Sequence, residues 1–132
     1  MFLSRYSAQL HGIFRVMTGL LFLQHGLQKL VGFPPMSPAM AAMHVPDSAK
    51  PVLLAAAVIE TITGALVALG FFSRWAAFVA SGEMAIGYFI AHVAMGHSIF
   101  PATNGGDAAV LFCFSFLFLA GAGPGAFAAN QK

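Results

Sequence analysis

At 132 residues, 59% hydrophobic and 8% charged, the chain departs from the roughly 45–50% apolar and roughly 25% charged make-up of a soluble domain, and its six basic and four acidic residues could not cover the surface that so small a domain turns to water. A mean hydropathy of +0.84 with 14 Phe excludes disorder, basic residues scattered without a run exclude a nucleic-acid surface, and a single cysteine excludes an internal disulfide or a CxxC redox pair. Lipid is the solvent that this composition fits.

Four apolar stretches, near 11–31, 51–72, 74–97 and 107–123, each approach the ~20 residues that cross ~30 Å of hydrocarbon at ~1.5 Å per residue. They predict an all-α integral membrane protein built as a four-transmembrane-helix bundle. The first, HGIFRVMTGLLFLQHGLQKLV, is the most polar, with Arg15, Gln24, His25, Gln28 and Lys29. Arg15 interrupts any signal-peptide core, and no small-residue cleavage site precedes a polar mature domain. The loop that follows, 32–50, is the one long connection and is rich in Pro and Met (GFPPMSPAMAAMHVPDSAK). The second stretch opens on Pro51, a favoured first helical position, and carries one charge, Glu60. Only Phe72 and Ser73 separate it from the third, so the two predict an antiparallel hairpin. The third carries Glu83, His92 and His97; the fourth is apolar beyond Asp107 and stops at Gly121-Ala122-Gly123-Pro124-Gly125, where Gly and Pro terminate a helix.

Basic residues near the span ends divide as Arg5, Arg15, Arg74 and Lys132 against Lys29 and Lys50. That division predicts N-in/C-in topology with 32–50 extracytoplasmic. No repeat or second domain is visible, and 1–132 reads as a single membrane domain. The segments are about twice the length of barrel strands and do not alternate. Small residues recur at four-residue spacing, as in Ala77, Ser81 and Ala85 or Glu60, Gly64 and Ala68, which lets helix backbones approach inside a bilayer.

An ionisable side chain in hydrocarbon costs ~2.5–3.5 kcal/mol on insertion scales, so Arg15, Glu60 and Glu83 require interior positions and partners. Counting rise per residue puts Arg15 about 6 Å, Glu83 about 13 Å and Glu60 about 16 Å from the cytoplasmic boundary. An Arg15 ion pair with Glu83 or Glu60 is therefore expected, forming a buried charge network. Such a network serves either as a clamp that fixes helix order or as a proton-accepting or ligand-orienting site; the remaining alternative is that Arg15 snorkels to the interface alone.

A second polar group gathers on the outer half. His25 and Lys29 are i,i+4 neighbours, as are Gln24 and Gln28, and His92 and His97 close the third span. Regular helical spacing returns His97 to within about 40° of Glu83 and turns His92 to the opposite face. Asn104 and Asp107 enter from the next loop at the same level. His25 and His97 read either as interfacial hydrogen-bonding residues or as contacts for a polar headgroup such as a quinone carbonyl. Bis-His ligation of haem would need facing histidines at matched depth, which nothing in the spacing demands, and no HxxxH, ExxH or Cys/His cluster suggests a metal. Cys113 between phenylalanines reads as a small apolar residue, and Ser115 lacks a helper for nucleophilic work.

The ordered run R-x3-G-x5-HG-x2-K-x2-GF (Arg15 to Phe33), E-x3-G-x5-GF followed by Arg74 (from Glu60), A-x5-AH (Ala85 to His92), FP-x2-NGGD (Phe100 to Asp107) and GPG (Gly123 to Gly125) resembles the DoxX family. The resemblance spans nearly the whole chain. It implies a small bacterial inner-membrane protein of four helices, related to a subunit associated with terminal quinol oxidase and thiosulfate:quinone oxidoreductase activity, some members being tied to membrane complexes that protect against oxidative stress. Two positions depart from the family pattern: Asp107 stands where Glu is usual, and Ala128 and Asn130 replace the Ser and Asp that commonly follow GPG. The first keeps the charge; the second weakens any role for the C-terminal tail.

The expected function is that of a subunit or accessory of a quinone-linked oxidoreductase system. In it Arg15, Glu60 and Glu83 form the buried network, while His25, Lys29, His97, Asn104 and Asp107 bind a quinone headgroup or pass protons. The chain carries no cofactor motif, so a partner subunit must supply electrons. Expected partners are the bilayer, other membrane or redox subunits and further copies of the chain, with no nucleic acid. The alternative is a non-enzymatic assembly or transporter-like protein whose ion pairs only fix helix packing.

Overall fold

The computed structural model describes residues 1–132 and contains helices and no strand. Four long helices run as α1 (Ser7–Val31), α2 (Lys50–Leu69), α3 (Ser73–Gly96) and α4 (Asp107–Ala122). Single turns occur at Phe2–Tyr6, Pro38–Ala41, Asp47–Ala49 and Pro101–Asn104. The second helix stops at Leu69, short of the expected Phe72, because Gly70 takes the left-handed conformation at φ 69° and Phe72 follows at φ 47°. Gly70–Phe72 thus forms the reversal into α3.

Two helical segments, Asp47–Leu69 and Ser73–Gly96, are long and apolar enough to cross a membrane, with mean hydropathies of 2.2 and 1.4. Only 28% and 17% of their apolar windows are buried inside the protein, whereas the core helix of a soluble protein would be mostly enclosed. Across the chain 24 of 132 residues are buried, and Trp75, Phe78 and Leu111 point outward. This outward apolar surface is what lipid contact requires. α4 is apolar but has 16 residues, about 24 Å of helix; α1 has 25 residues and carries most of the polar side chains.

Neighbouring helices pack in chain order, α1 on α2, α2 on α3 and α3 on α4. The α1–α2 seam is the tightest. A Cβ added at Gly19 would lie 2.4 Å from the Ala68 nitrogen, and one at Gly64 2.6 Å from the Leu23 nitrogen. Gly64 and Ala68, expected from their spacing to sit in a helix contact, do so. α4 meets α1 mainly through rings: Phe22 lies 4.7 Å from Phe116 and 5.3 Å from Phe112, centroid to centroid. Phe22, Phe116, Val67, Leu119 and the small residues Ala76, Ala77 and Ala80 make the core. Gly19→Leu is expected to wedge α1 from α2, costing at least the ~1–3 kcal/mol typical of overpacking, read as a lowered unfolding temperature in detergent with helix content retained.

Beyond α4 the chain folds back across the ends of the other helices. The Ala126 nitrogen donates to the Ala8 carbonyl, Ala129 to Leu69 and Asn130 to Gly70, each at 3.1 Å. The Asn130 side-chain oxygen accepts from the Phe72 nitrogen at 3.0 Å and the Lys132 nitrogen at 3.1 Å. Asn130, where the family pattern has Asp, thus holds the tail against the α2–α3 reversal. An amide oxygen accepts these backbone donors without introducing a charge.

Candidate functional site

The polar side chains fall into three layers. In the first, Arg15 is fully buried yet touches no carboxylate. Its Nε donates to the Pro124 carbonyl at 2.8 Å, one terminal nitrogen to Val67 and Ala68 at 2.8 Å each, and the other to Ala126 at 3.1 Å and Phe127 at 2.9 Å. Five N–H donors thus meet five carbonyls. Val67 and Ala68 lie in the last turn of α2, and Pro124 to Phe127 follow α4, so the guanidinium sits at the carbonyl end of α2 beside the returning tail. The expected Arg15 pairing with Glu60 or Glu83 is corrected for that reason: nearer acceptors use every donor. Arg74 repeats the device from outside, donating to Ala120 at 3.1 Å and Gly121 at 2.6 Å.

The second layer lies among the helices. Glu60, 2% exposed, pairs through Oε1 with Lys29 from α1. The short α1–α2 distance set by the glycines brings the Lys29 ammonium to it. Lys29 is a third exposed, with its stem on the helix and its head turned inward. The second oxygen, Glu60 Oε2, is buried and has no hydrogen-bond partner, and the same is true of Glu83 Oε2 on α3. His25 is half-buried, edge-on to Phe112 with centroids 5.9 Å apart. α1 thus carries an ammonium and a half-buried imidazole, and α2 and α3 each carry a buried acceptor oxygen without a donor. An open apolar cavity of about 340 Å³ lies beside it between α1 and α4, lined by Phe14, Met17, Leu21, Leu111 and Phe112. Phe112 borders both the cavity and His25.

The third layer closes the far end of α3. Over Tyr88–Val93 that helix is a π-helix, an insertion that shifts the register of everything after it. The regular spacing that aligned His97 with Glu83 therefore fails. His97 is exposed, with φ 51°, at the C-cap. His92 instead reaches the Asn104 carbonyl at 3.3 Å and stacks on Tyr88. Asn104 donates to the Tyr88 hydroxyl at 3.1 Å and the Ser98 carbonyl at 2.9 Å, while its oxygen accepts from the Gly106 nitrogen at 2.8 Å. Asp107 is exposed in the first turn of α4, where its charge favours the helix dipole. Lys29 is thus brought to Glu60, with His25 one turn before it on α1, whereas Asn104 belongs to a separate loop latch and His97 and Asp107 are exposed. Asn104→Ala is expected to cost about 1–3 kcal/mol by orphaning buried partners, checked as faster proteolysis of 98–106.

Sequence reading missed the contribution of the chain after Gly123. Its carbonyls, rather than any side chain, receive Arg15, and a buried arginine with no acid at its own depth is the signal that could have pointed there. No group of three or more His, Cys, Asp and Glu side chains comes together to hold a metal ion.

The family model described as DoxX matches residues 11–93, a stretch that includes Arg15, His25, Lys29, Glu60 and Glu83. An uncharacterised protein of Haemophilus influenzae is 38% identical over 132 residues, covering 98% of this chain and 95% of its own length. No solved structure matches.

Proposed function

The chain belongs to the DoxX family, and from that premise we propose that it is a multi-pass protein of the bacterial inner membrane, with α1 to α4 as four spans and both termini cytoplasmic, serving as a subunit or accessory of a quinone-linked oxidoreductase system. The observation that carries this reading is Glu60: enclosed, held by Lys29 through one oxygen, and left without a donor on the other; Glu83, half-buried on α3, likewise has a buried oxygen without a donor. A buried acceptor without a donor costs about 1–3 kcal/mol, and apolar surroundings supply no water to relieve it. A proton or a ligand hydroxyl would.

A quinone headgroup matches the set. Its carbonyls accept from Lys29 and His25; once it is reduced to the quinol, its hydroxyls donate to Glu60 and Glu83. The two electrons come from a partner subunit and the two protons pass through the acids, so the chain's own task is to bind, orient and move protons. The cavity beside Phe112 takes the apolar tail. Arg15, His97, Asn104 and Asp107 frame the site without touching the headgroup.

The test is a titration of the full chain in nanodiscs with a short-chain quinone, and separately with its quinol. Saturable binding is expected, weakened at least tenfold by Glu60→Gln and changed less than twofold by Asn104→Ala. Absence of saturable binding by either form sinks the reading. The architectural alternative draws on Arg15, whose bonds are all to backbone. It prevails if Glu60→Gln and Glu83→Gln lower thermal stability and leave quinone-linked turnover intact.

A further inference from the structure

The loop between α1 and α2 contains Met36, Met40 and Met43 followed at once by His44, four soft or borderline donor side chains within nine residues that the proposed function does not use. All three methionines are exposed, by 41%, 45% and 64%, although methionine is ordinarily a gap-filling core residue. They are not scattered. Ser37 caps the turn Pro38–Ala41, its hydroxyl accepting from the Met40 nitrogen at 3.3 Å. The turn continues through bonds from Ala41 to the Ser37 carbonyl at 2.9 Å, Ala42 to Pro38 at 3.1 Å and Met43 to Met40 at 3.2 Å.

The backbone therefore winds from Pro38 to Met43, where helical winding brings residues three and four apart to one side. Met40 and Met43 are three apart in that turn, His44 is exposed at its end, and Met36 directly precedes the extended N-cap Ser37. Prolines at 34, 35, 38 and 46 restrict the flanking backbone, which lowers the ordering cost of closing the side chains on an ion. The only ion pair of the loop, Asp47 with Lys50, lies beyond it, so no carboxylate competes with the thioethers.

We propose that Met36, Met40, Met43 and His44 form a binding site for a soft monovalent cation of the Cu(I) or Ag(I) class. Neutral thioethers select such ions: they bind hard cations poorly, and three of them with one imidazole give the low-charge, low-coordination set that a d10 monovalent ion accepts. Binding needs only rotation of side chains that have three free torsions each. The site is independent of the Glu60 cluster and of the quinone reading.

The test uses Ag(I), which undergoes no redox change, added to the full chain in chloride-free detergent buffer, with methionine methyl resonances and calorimetry as readouts. One equivalent is expected to bind, shifting the methyl signals of Met36, Met40 and Met43 and leaving Met17 and Met84 in place. Met40→Leu with Met43→Leu should weaken binding at least tenfold, with unchanged circular dichroism, since both residues are exposed. Zn(II) should compete at least a hundredfold less well. The proposal is overturned if no saturable one-to-one binding occurs, if the double variant binds as tightly as the parent, or if the loop methyl signals respond to lipid and not to Ag(I).

Discussion

Arg15→Met is expected to lower the stability of the folded chain by on the order of 5 kcal/mol, from five charge-assisted hydrogen bonds that would individually contribute about 1.5–3 kcal/mol and do not add in full. The Ala68, Pro124, Ala126 and Phe127 carbonyls would lose the guanidinium at once, and Val67 would keep only its bond from the Gly70 nitrogen. Arg15→Lys should recover only part of the loss, because an ammonium has three donors and no planar fork. Deleting residues 123–132 should cost a similar amount, and the deletion combined with Arg15→Met should cost far less than the sum, since each change removes the other's partner. Thermal unfolding in one detergent checks all four proteins. Additive losses would mean that Arg15 and the tail act separately.

What the sequence made legible was whatever depends on side-chain identity and regular spacing. Four apolar stretches separated by Pro- and Gly-rich breaks became α1 to α4, the Gly64–Ala68 spacing became the close contact with α1, and a charge deep in an apolar stretch, Glu60, became an enclosed residue. The failures share a physical origin. Acid was sought for Arg15 because opposite charges are the partners that a sequence displays, but backbone carbonyls at helix ends are equally good acceptors and are invisible in residue letters. His97 sits exposed at the C-cap, off the Glu83 stripe, because one π-helical insertion over Tyr88–Val93 overrides a periodicity that assumes 3.6 residues per turn. Lys29, grouped by spacing with His25 on the outer half, pairs instead with Glu60, which the glycine seam between α1 and α2 brings within its reach.

Lys29→Met and Glu60→Gln are expected to differ sharply at neutral pH although each removes the same ion pair. Glu60→Gln leaves an ammonium that is already a third exposed and can extend along its own stem to the interface, so the loss should be about 1 kcal/mol, near that of an exposed pair. Lys29→Met leaves a carboxylate that is 2% exposed, has no other donor and is too short to reach water; removing one partner of such a pair costs about 3–5 kcal/mol. The double variant, Lys29→Met with Glu60→Gln, should be more stable than Lys29→Met alone, because the uncompensated charge is gone. The same three variants separate architecture from chemistry. If the double variant regains stability and also quinone-linked turnover, the pair serves packing alone. If stability returns and turnover does not, the carboxylate that Lys29 holds ready is itself the working group, and the cost of burying it is retained for that use.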